Sequence, residues 1–156
     1  MAITNYTNLQ TTIADFLNRD DLTAVIPTFI QLAEAQISRE VRHWRQQVRA
    51  TTTLNEQFES LPTNFLEGIN FYIDTTRGEK TLEYAPIAEI SRRKLSSAGV
   101  AGEPVVYTIN SGEMEFIPTP DDSYELTMVY YAQIPNLSAT TTTNWLLTYY
   151  PDVYLY

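Results

Sequence analysis

The hydrophobic period of this chain changes at Ala50, and that change excludes most architectures. Before it, apolar residues recur at helical spacing: Leu9, Ile13, Phe16 and Leu17, then Ile30, Ala33, Ile37, Val41 and Trp44, flanked by Phe29 and Leu32. After it they alternate, in Ile69, Phe71 and Ile73, in Val105, Tyr107 and Ile109, and in Met114 and Phe116. The first spacing gives a helix one buried face, and the second does the same for a strand. Helices first and strands afterwards do not make repeated βαβ units. The expected class is therefore α+β, an N-terminal helical layer and a C-terminal helical segment packed beside an antiparallel β-sheet or sandwich.

A length of 156 residues fits one domain, read here as 1–156 with three parts. Residues 1–49 are the helical part. A first helix is capped by Asn5 or Thr7 and broken at Asn18-Arg19-Asp20-Asp21; Pro27 sits in the first turn of a second, expected to reach Arg45. Ile30, Ile37, Val41 and Trp44 are the expected core shared with the sheet. Residues 50–132 are β-rich. Arg77-Gly78-Glu79-Lys80 turns into a short strand holding Leu82 and Tyr84, and Pro86 opens a helix over 86–95 that ends in Ser96-Ser97-Ala98-Gly99. Asn110-Ser111-Gly112 reads as a hairpin turn, with a third strand over 124–132 completing an antiparallel meander. Residues 133–156 hold a linker and a helical segment capped by Asn144 and kinked near Pro151. That segment carries Trp145, Leu146, Tyr149, Tyr150, Val153, Tyr154, Leu155 and Tyr156 with no terminating signal. The expectation is a truncated end, or aromatics covered by a partner.

With 44% hydrophobic and 19% charged residues, the chain has the composition of a folding domain. No run approaches the roughly 18 apolar residues that span a bilayer, and Met1-Ala2-Ile3-Thr4-Asn5 does not read as a signal peptide. No membrane is expected, and synthesis is expected in the cytosol. Zero cysteines exclude disulfides and thiolate metal sites; the lone His43 excludes histidine clusters and reads as a packed or half-exposed side chain. Phosphate-cradling and nucleophile-elbow motifs are missing. Glu113 and Glu115 share a strand face and could serve glycoside hydrolysis, but adjacent outward glutamates are ordinarily a solvated face. Asp121-Asp122-Ser123 lacks calcium-loop spacing and reads as a turn. No catalytic residue, metal or cofactor is expected.

The net charge is −9, yet residues 1–49 hold five basic and five acidic residues, so the whole excess lies after position 49. Such a surface repels nucleic acid. Arg39, Arg42, Arg45 and Arg49 recur at three- and four-residue spacing. They form either a solvated helix end or a stripe that meets the acidic β region of a neighbouring copy, with direct DNA binding a third reading. Seven of the eleven tyrosines lie between 124 and 156, more than one small core satisfies. Trp145, Tyr149, Tyr150 and Tyr154 join the arginines as candidate interface residues.

Pro27-Thr28-Phe29-Ile30-Gln31-Leu32-Ala33-Glu34, continued by Ile37, Arg39, Glu40 and Arg42, resembles the second helix of the head-to-tail adaptor proteins of tailed bacteriophages. Leu61-Pro62-Thr63-Asn64-Phe65-Leu66-Glu67 is similar to that family's step into its sheet. Pro104, Tyr107, Ile109, Gly112-Glu113, Phe116, Pro118, Pro120, Tyr130-Tyr131 and Ile134-Pro135 follow in family order, and Asn144-Trp145-Leu146-Leu147 and Tyr150-Pro151-Asp152-Val153-Tyr154 close it. The resemblance implies a non-enzymatic ring, usually a dodecamer, in the virion neck. It would contact the portal on one side and tail or nozzle proteins on the other, with DNA only as transiting cargo. Family members usually continue with a further C-terminal helix where this sequence stops. The competing reading is an aromatic, β-rich tail-fibre or carbohydrate-binding module, and a small hydrolase using Glu113 and Glu115 is weaker still.

Overall fold

The structure is a computed structural model describing residues 3–19, 21–97 and 99–155. Met1, Ala2, Asp20, Ala98 and Tyr156, which the sequence places at the N-terminus, in the first break, in the loop after 95 and in the closing segment, lie outside the described residues. The chain divides into two compact units, Met1–Gln46 with Gln133–Tyr156, and Gln47–Ala132.

The first unit is helical. Helix α1, Tyr6–Leu17, starts where Asn5 accepts the Asn8 backbone N–H at 2.9 Å, and ends at Asn18 in the left-handed conformation. Helix α2, Ile26–Glu40, has Pro27 in its first turn and ends five residues earlier than expected. It stops because Val41 turns extended, at φ −92° and ψ 129°, and Arg42 Nη1 takes over the end carbonyls, donating to Ser38 and Val41, each at 2.9 Å. Capping of this kind satisfies carbonyls that have no partner inside the helix. A single 3₁₀ turn, Trp44–Gln46, follows. The closing segment is a short helix α4, Trp145–Tyr149, capped by Asn144, then a 3₁₀ turn, Pro151–Tyr154. Leu9, Ile26, Ile30, Ile134, Leu137, Leu146, Leu147 and Tyr154 form the core of this unit, with Ile37 packed on its margin.

Two of the expected core residues need correcting. Ile30 is buried and Ile37 half-buried, but Val41 has left the helix and Trp44 is 64% exposed. Helical spacing put Trp44 on the apolar face; once the helix ends at Glu40 that spacing no longer applies.

The second unit is a two-sheet sandwich with one helix. Strands β1 (Gln47–Leu54), β3 (Phe65–Thr75), β4 (Gly78–Thr81) and β8 (Tyr124–Ala132) form one sheet in the order β1-β8-β3-β4. Strands β2 (Phe58–Ser60), β5 (Glu83–Tyr84), β6 (Val106–Asn110) and β7 (Glu113–Ile117) form the other, in the order β2-β7-β6-β5. All pairs are antiparallel except β5 with β6. Leu54, Phe71, Ile73, Leu126 and Met128 of the first sheet meet Met114 and Phe116 of the second in one core. Helix α3, Ile87–Ser97, covers the outer side of the second sheet through Ala85, Ile90, Val106 and Ile117. Strand β6 is thus covered on both faces, Val106 under α3 and Tyr107 and Ile109 at the margin of the inter-sheet core, and Val106 and Thr108 are more deeply buried than the alternating set Val105, Tyr107 and Ile109.

The hairpin at Asn110-Ser111-Gly112 forms as expected, with Ser111 and Gly112 at φ 53° and 85°. The meander does not. Strand β8 leaves this sheet and inserts between β1 and β3, because the free edge of β7 is already taken by β2. A second correction concerns β3. Register shifts after Phe65 and after Gly68 break its alternation, leaving Ile69 exposed while Phe71, Tyr72 and Ile73 are all buried.

Candidate interaction surface

The aromatic residues of the first unit gather around His43. Its ring stacks on Trp145 with centroids 5.2 Å apart at 19°, meets Tyr150 edge-on at 5.8 Å and touches Trp44 at 5.5 Å. The His43 Nδ1 accepts the Arg45 backbone N–H at 3.2 Å, and the His43 N–H is held by Gln46 Oε1 at 2.7 Å. These bonds fix the 3₁₀ turn and aim Arg45 outward between two rings. Its guanidinium carbon is 4.5 Å from the Trp44 centroid and 3.8 Å from that of Tyr149. Next to this stack, Ile37, Val41, His43, Trp145, Leu146, Tyr150 and Val153 line an open groove of about 220 Å³.

Beneath the groove, a buried polar network ties α2 to the closing segment. Glu34 Oε1 accepts the Leu137 N–H at 2.9 Å and the Tyr154 hydroxyl at 3.1 Å. Asn144 Nδ2 donates to Tyr154 Oη at 3.0 Å and to the Pro135 carbonyl at 2.9 Å, while its oxygen caps Leu147 at 2.8 Å. Glu34 Oε2 has no partner. Burial pushes the Glu34 carboxyl above the usual carboxylate range, outweighing its two donors, and also drives the Tyr154 hydroxyl upward.

The four arginines occupy four different settings. Arg39 is exposed on α2, Arg42 caps that helix, Arg45 sits in the 3₁₀ turn, and Arg49 lies on β1 with its guanidinium 5.9 Å from the Tyr72 ring. The expected helical stripe is therefore absent, since the helix that would carry it ends at Glu40. Trp145 and Tyr150 meet edge-on, and both they and Tyr149 are half-buried or exposed. Tyr154 is not, being 8% exposed and bonded to Glu34 and Asn144. Trp44 and Tyr154 thus exchange their expected places. Three groove residues, His43, Leu146 and Val153, stand outside the expected core and interface sets, and only the fold of the closing segment against α2 brings them together.

Other surfaces are exposed and apolar: Phe16 and Leu17 on α1, and Val25, Phe29 and Leu32 along α2. Glu115, one of the two glutamates weighed for hydrolysis, is buried, ion-paired with Lys94 and hydrogen-bonded by Gln57 at 3.0 Å, while Glu113 is exposed. Among the described residues no three His, Asp or Glu side chains gather as metal ligands would, and no helix is long and apolar enough to cross a membrane.

A family profile described as SU10 adaptor protein matches residues 4–156. The chain belongs to the SU10 adaptor protein family. The resemblance to phage adaptors drawn from Pro27 to Tyr154 is borne out at the level of the family, and nearly the whole sequence takes part in it. As a bacteriophage adaptor the protein is structural, and it works by contact with other head or tail components. No curated protein matches the chain.

Proposed function

We propose that this SU10 adaptor assembles as a ring, twelve copies in the arrangement usual for such adaptors, between the portal of the phage head and the tail, with its bore as the passage for DNA. The observation that carries the reading is the family match over residues 4–156. The surface supports it. Arg45, Trp145, Tyr149 and Tyr150 form a preordered contact site, and the helices expose further apolar side chains that a neighbour could cover. Arg39, Arg42 and Arg49 are further candidates for contacts with a neighbouring copy or the portal.

The protein has no catalytic task in this reading. Glu115 is engaged by Lys94 and Gln57 rather than held ready for substrate. Residues 47–132 carry thirteen acidic against six basic residues, a balance that suits a surface along which DNA passes without sticking. The protein is made in the host cytoplasm and ends in the virion neck. Electron cryomicroscopy of purified virions tests this, with density for the chain expected as a ring beneath the portal. Density at a tail fibre instead, with the mass of a trimer or monomer in solution, would favour the carbohydrate-binding reading.

A further inference from the structure

Strand β1 is a sheet edge left open. It runs eight residues and, among the described residues, pairs on one side only, with β8. An unpaired edge of that length is a template for another strand, and folds ordinarily blunt such edges with short strands or inward charges. The other three edges are blunted in this way. Strand β2 has three residues, β5 two and β4 four. Glu59 of β2 and Lys80 of β4 also turn toward the space between the sheets, opposite Met114 and Ile73, where Thr52 donates to Glu59 and Glu103 pairs with Lys80. The sole charge of β1, Arg49, is exposed on the other face, the one turned away from the second sheet.

On that same outer face the register lines up like charges. Glu125 of β8 stands opposite Asp74 of β3, and Asp74 opposite Glu79 of β4. Directly opposite residues share a face, so three carboxylates lie side by side and end at the β4 edge. All three are exposed, and none has a hydrogen bond or ion pair among the described residues. Like charges placed so destabilise a sheet, and an isolated chain gains nothing from them. A cation stands at the opposite edge. Arg49, in register with Val129 and through it with Asn70, shares this face and has no carboxylate partner among the described residues. Its guanidinium carbon is 5.9 Å from the Tyr72 centroid, at the outer limit of a cation–π contact, so the side chain is free to swing to a better partner.

We propose that β4 of one copy adds to the free edge of β1 in a second copy, with Glu79 opposite Arg49 and residues 78–81 antiparallel to residues 47–50. The inference rests on the adaptor reading and specifies its subunit contact. Four strands in antiparallel order leave β1 and β4 running in opposite directions. A neighbour joined β4 to β1 therefore continues the antiparallel sheet and keeps the same face outward, placing Thr81 opposite Gln47 and the acidic row next to its cation. The two edges are different surfaces, so the contact is heterologous, the kind that generates rings. Pairing β1 with β1 of a second copy fits less well. That contact is two-fold, ends at two copies, and leaves the carboxylates at the β4 edge without a cation.

The sequence has no cysteine, so a pair introduced at exposed positions reports on this contact alone. The full chain carrying Gln47→Cys and Thr81→Cys, supplied during infection, is treated in purified virions with a short bismaleimide. Within one copy the two positions lie at least three strand spacings apart, about 14 Å, beyond the reach of such a reagent. Virions should yield a ladder of covalent adaptor oligomers extending past the dimer. A ladder that stops at the dimer, or no conjugate in particles that contain the chain, would overturn the contact while leaving the adaptor reading intact. Wild-type chain missing from virions would overturn both. Glu79→Arg removes a like charge from beside Asp74, so the purified variant should melt no lower than wild type while its incorporation falls about tenfold or more. Adding Arg49→Glu to that chain should restore incorporation. An unchanged yield for Glu79→Arg, or no recovery in the double variant, would also overturn the pairing.

Discussion

The Tyr154 hydroxyl donates to Glu34 Oε1 at 3.1 Å, joining residues 120 positions apart. The bond belongs to a network that also holds the Leu137 backbone and Asn144, so the short closing helix is fastened to α2 by buried polar groups as well as by Leu146 and Leu147. Trp145, Tyr149 and Tyr150 therefore stand on a fixed support. A contact surface with fixed side chains loses less entropy on association than a loose one.

Glu34 makes stability depend on pH. Its folded-state pKa lies above its unfolded value, so between the two the native state binds more protons. That contribution is fully present below the unfolded pKa and is lost as pH rises through the folded one. Urea unfolding from about pH 4 to about pH 8 should show wild-type stability falling across this window relative to Glu34→Gln, which has no such titration. Parallel profiles for the two proteins would remove Glu34 as the cause.

Removing the hydroxyl should be costly for a change of one atom. Tyr154→Phe leaves Glu34 with a single donor and removes one of the two acceptors of Asn144 Nδ2, for about 1 to 3 kcal/mol. Asn144→Ala loses the α4 cap as well, worth about 1 kcal/mol alone. Denaturant midpoints of both single variants and the double should show non-additivity, since all three side chains share one network.

Burial separates two residues that the helical spacing put on one face. Ile30→Ala should lose about 2 to 5 kcal/mol, the range for emptying a core site, whereas Trp44→Ala should stay within about 1 kcal/mol, since only surface contacts to Arg45 and His43 are lost. Thermal unfolding of the two variants measures the contrast. Comparable losses at both sites would return Trp44 to the core.

Gly68 is required by close packing rather than by its backbone angles. A Cβ there would lie 2.5 Å from Cε2 of the buried Phe71 ring, at the irregular stretch of β3. Gly68→Ala should cost about 1 to 3 kcal/mol through displacement of that ring. Near-ultraviolet circular dichroism should register the displacement along with a lower unfolding midpoint.

The sequence alone determined those features whose causes are local. The change from helical to strand period, which the structure puts at Gln47 and not Ala50, the first helix cap, Asn5 of the two candidates Asn5 and Thr7, Asn144 as a cap, Pro27 at a helix start and the Ser111-Gly112 turn all depend on neighbours within a few residues, and all appear in the structure. The order of short motifs from Pro27 to Tyr154 likewise sufficed to name the family. The tertiary structure decided the rest. Where α2 ends depended on Arg42 turning back to cap it, and the bulge that exposes Ile69 depended on pairing with β8. Strand β8 could pair with β7 or with β1 and β3, and its alternation is the same in either sheet; the edge already filled by β2 made the choice. The proposed contact site needed the same long-range information. His43, Arg45, Trp145 and Tyr149 become neighbours only when the closing segment folds onto α2, a closeness set by burial and by Glu34 rather than by spacing along the chain.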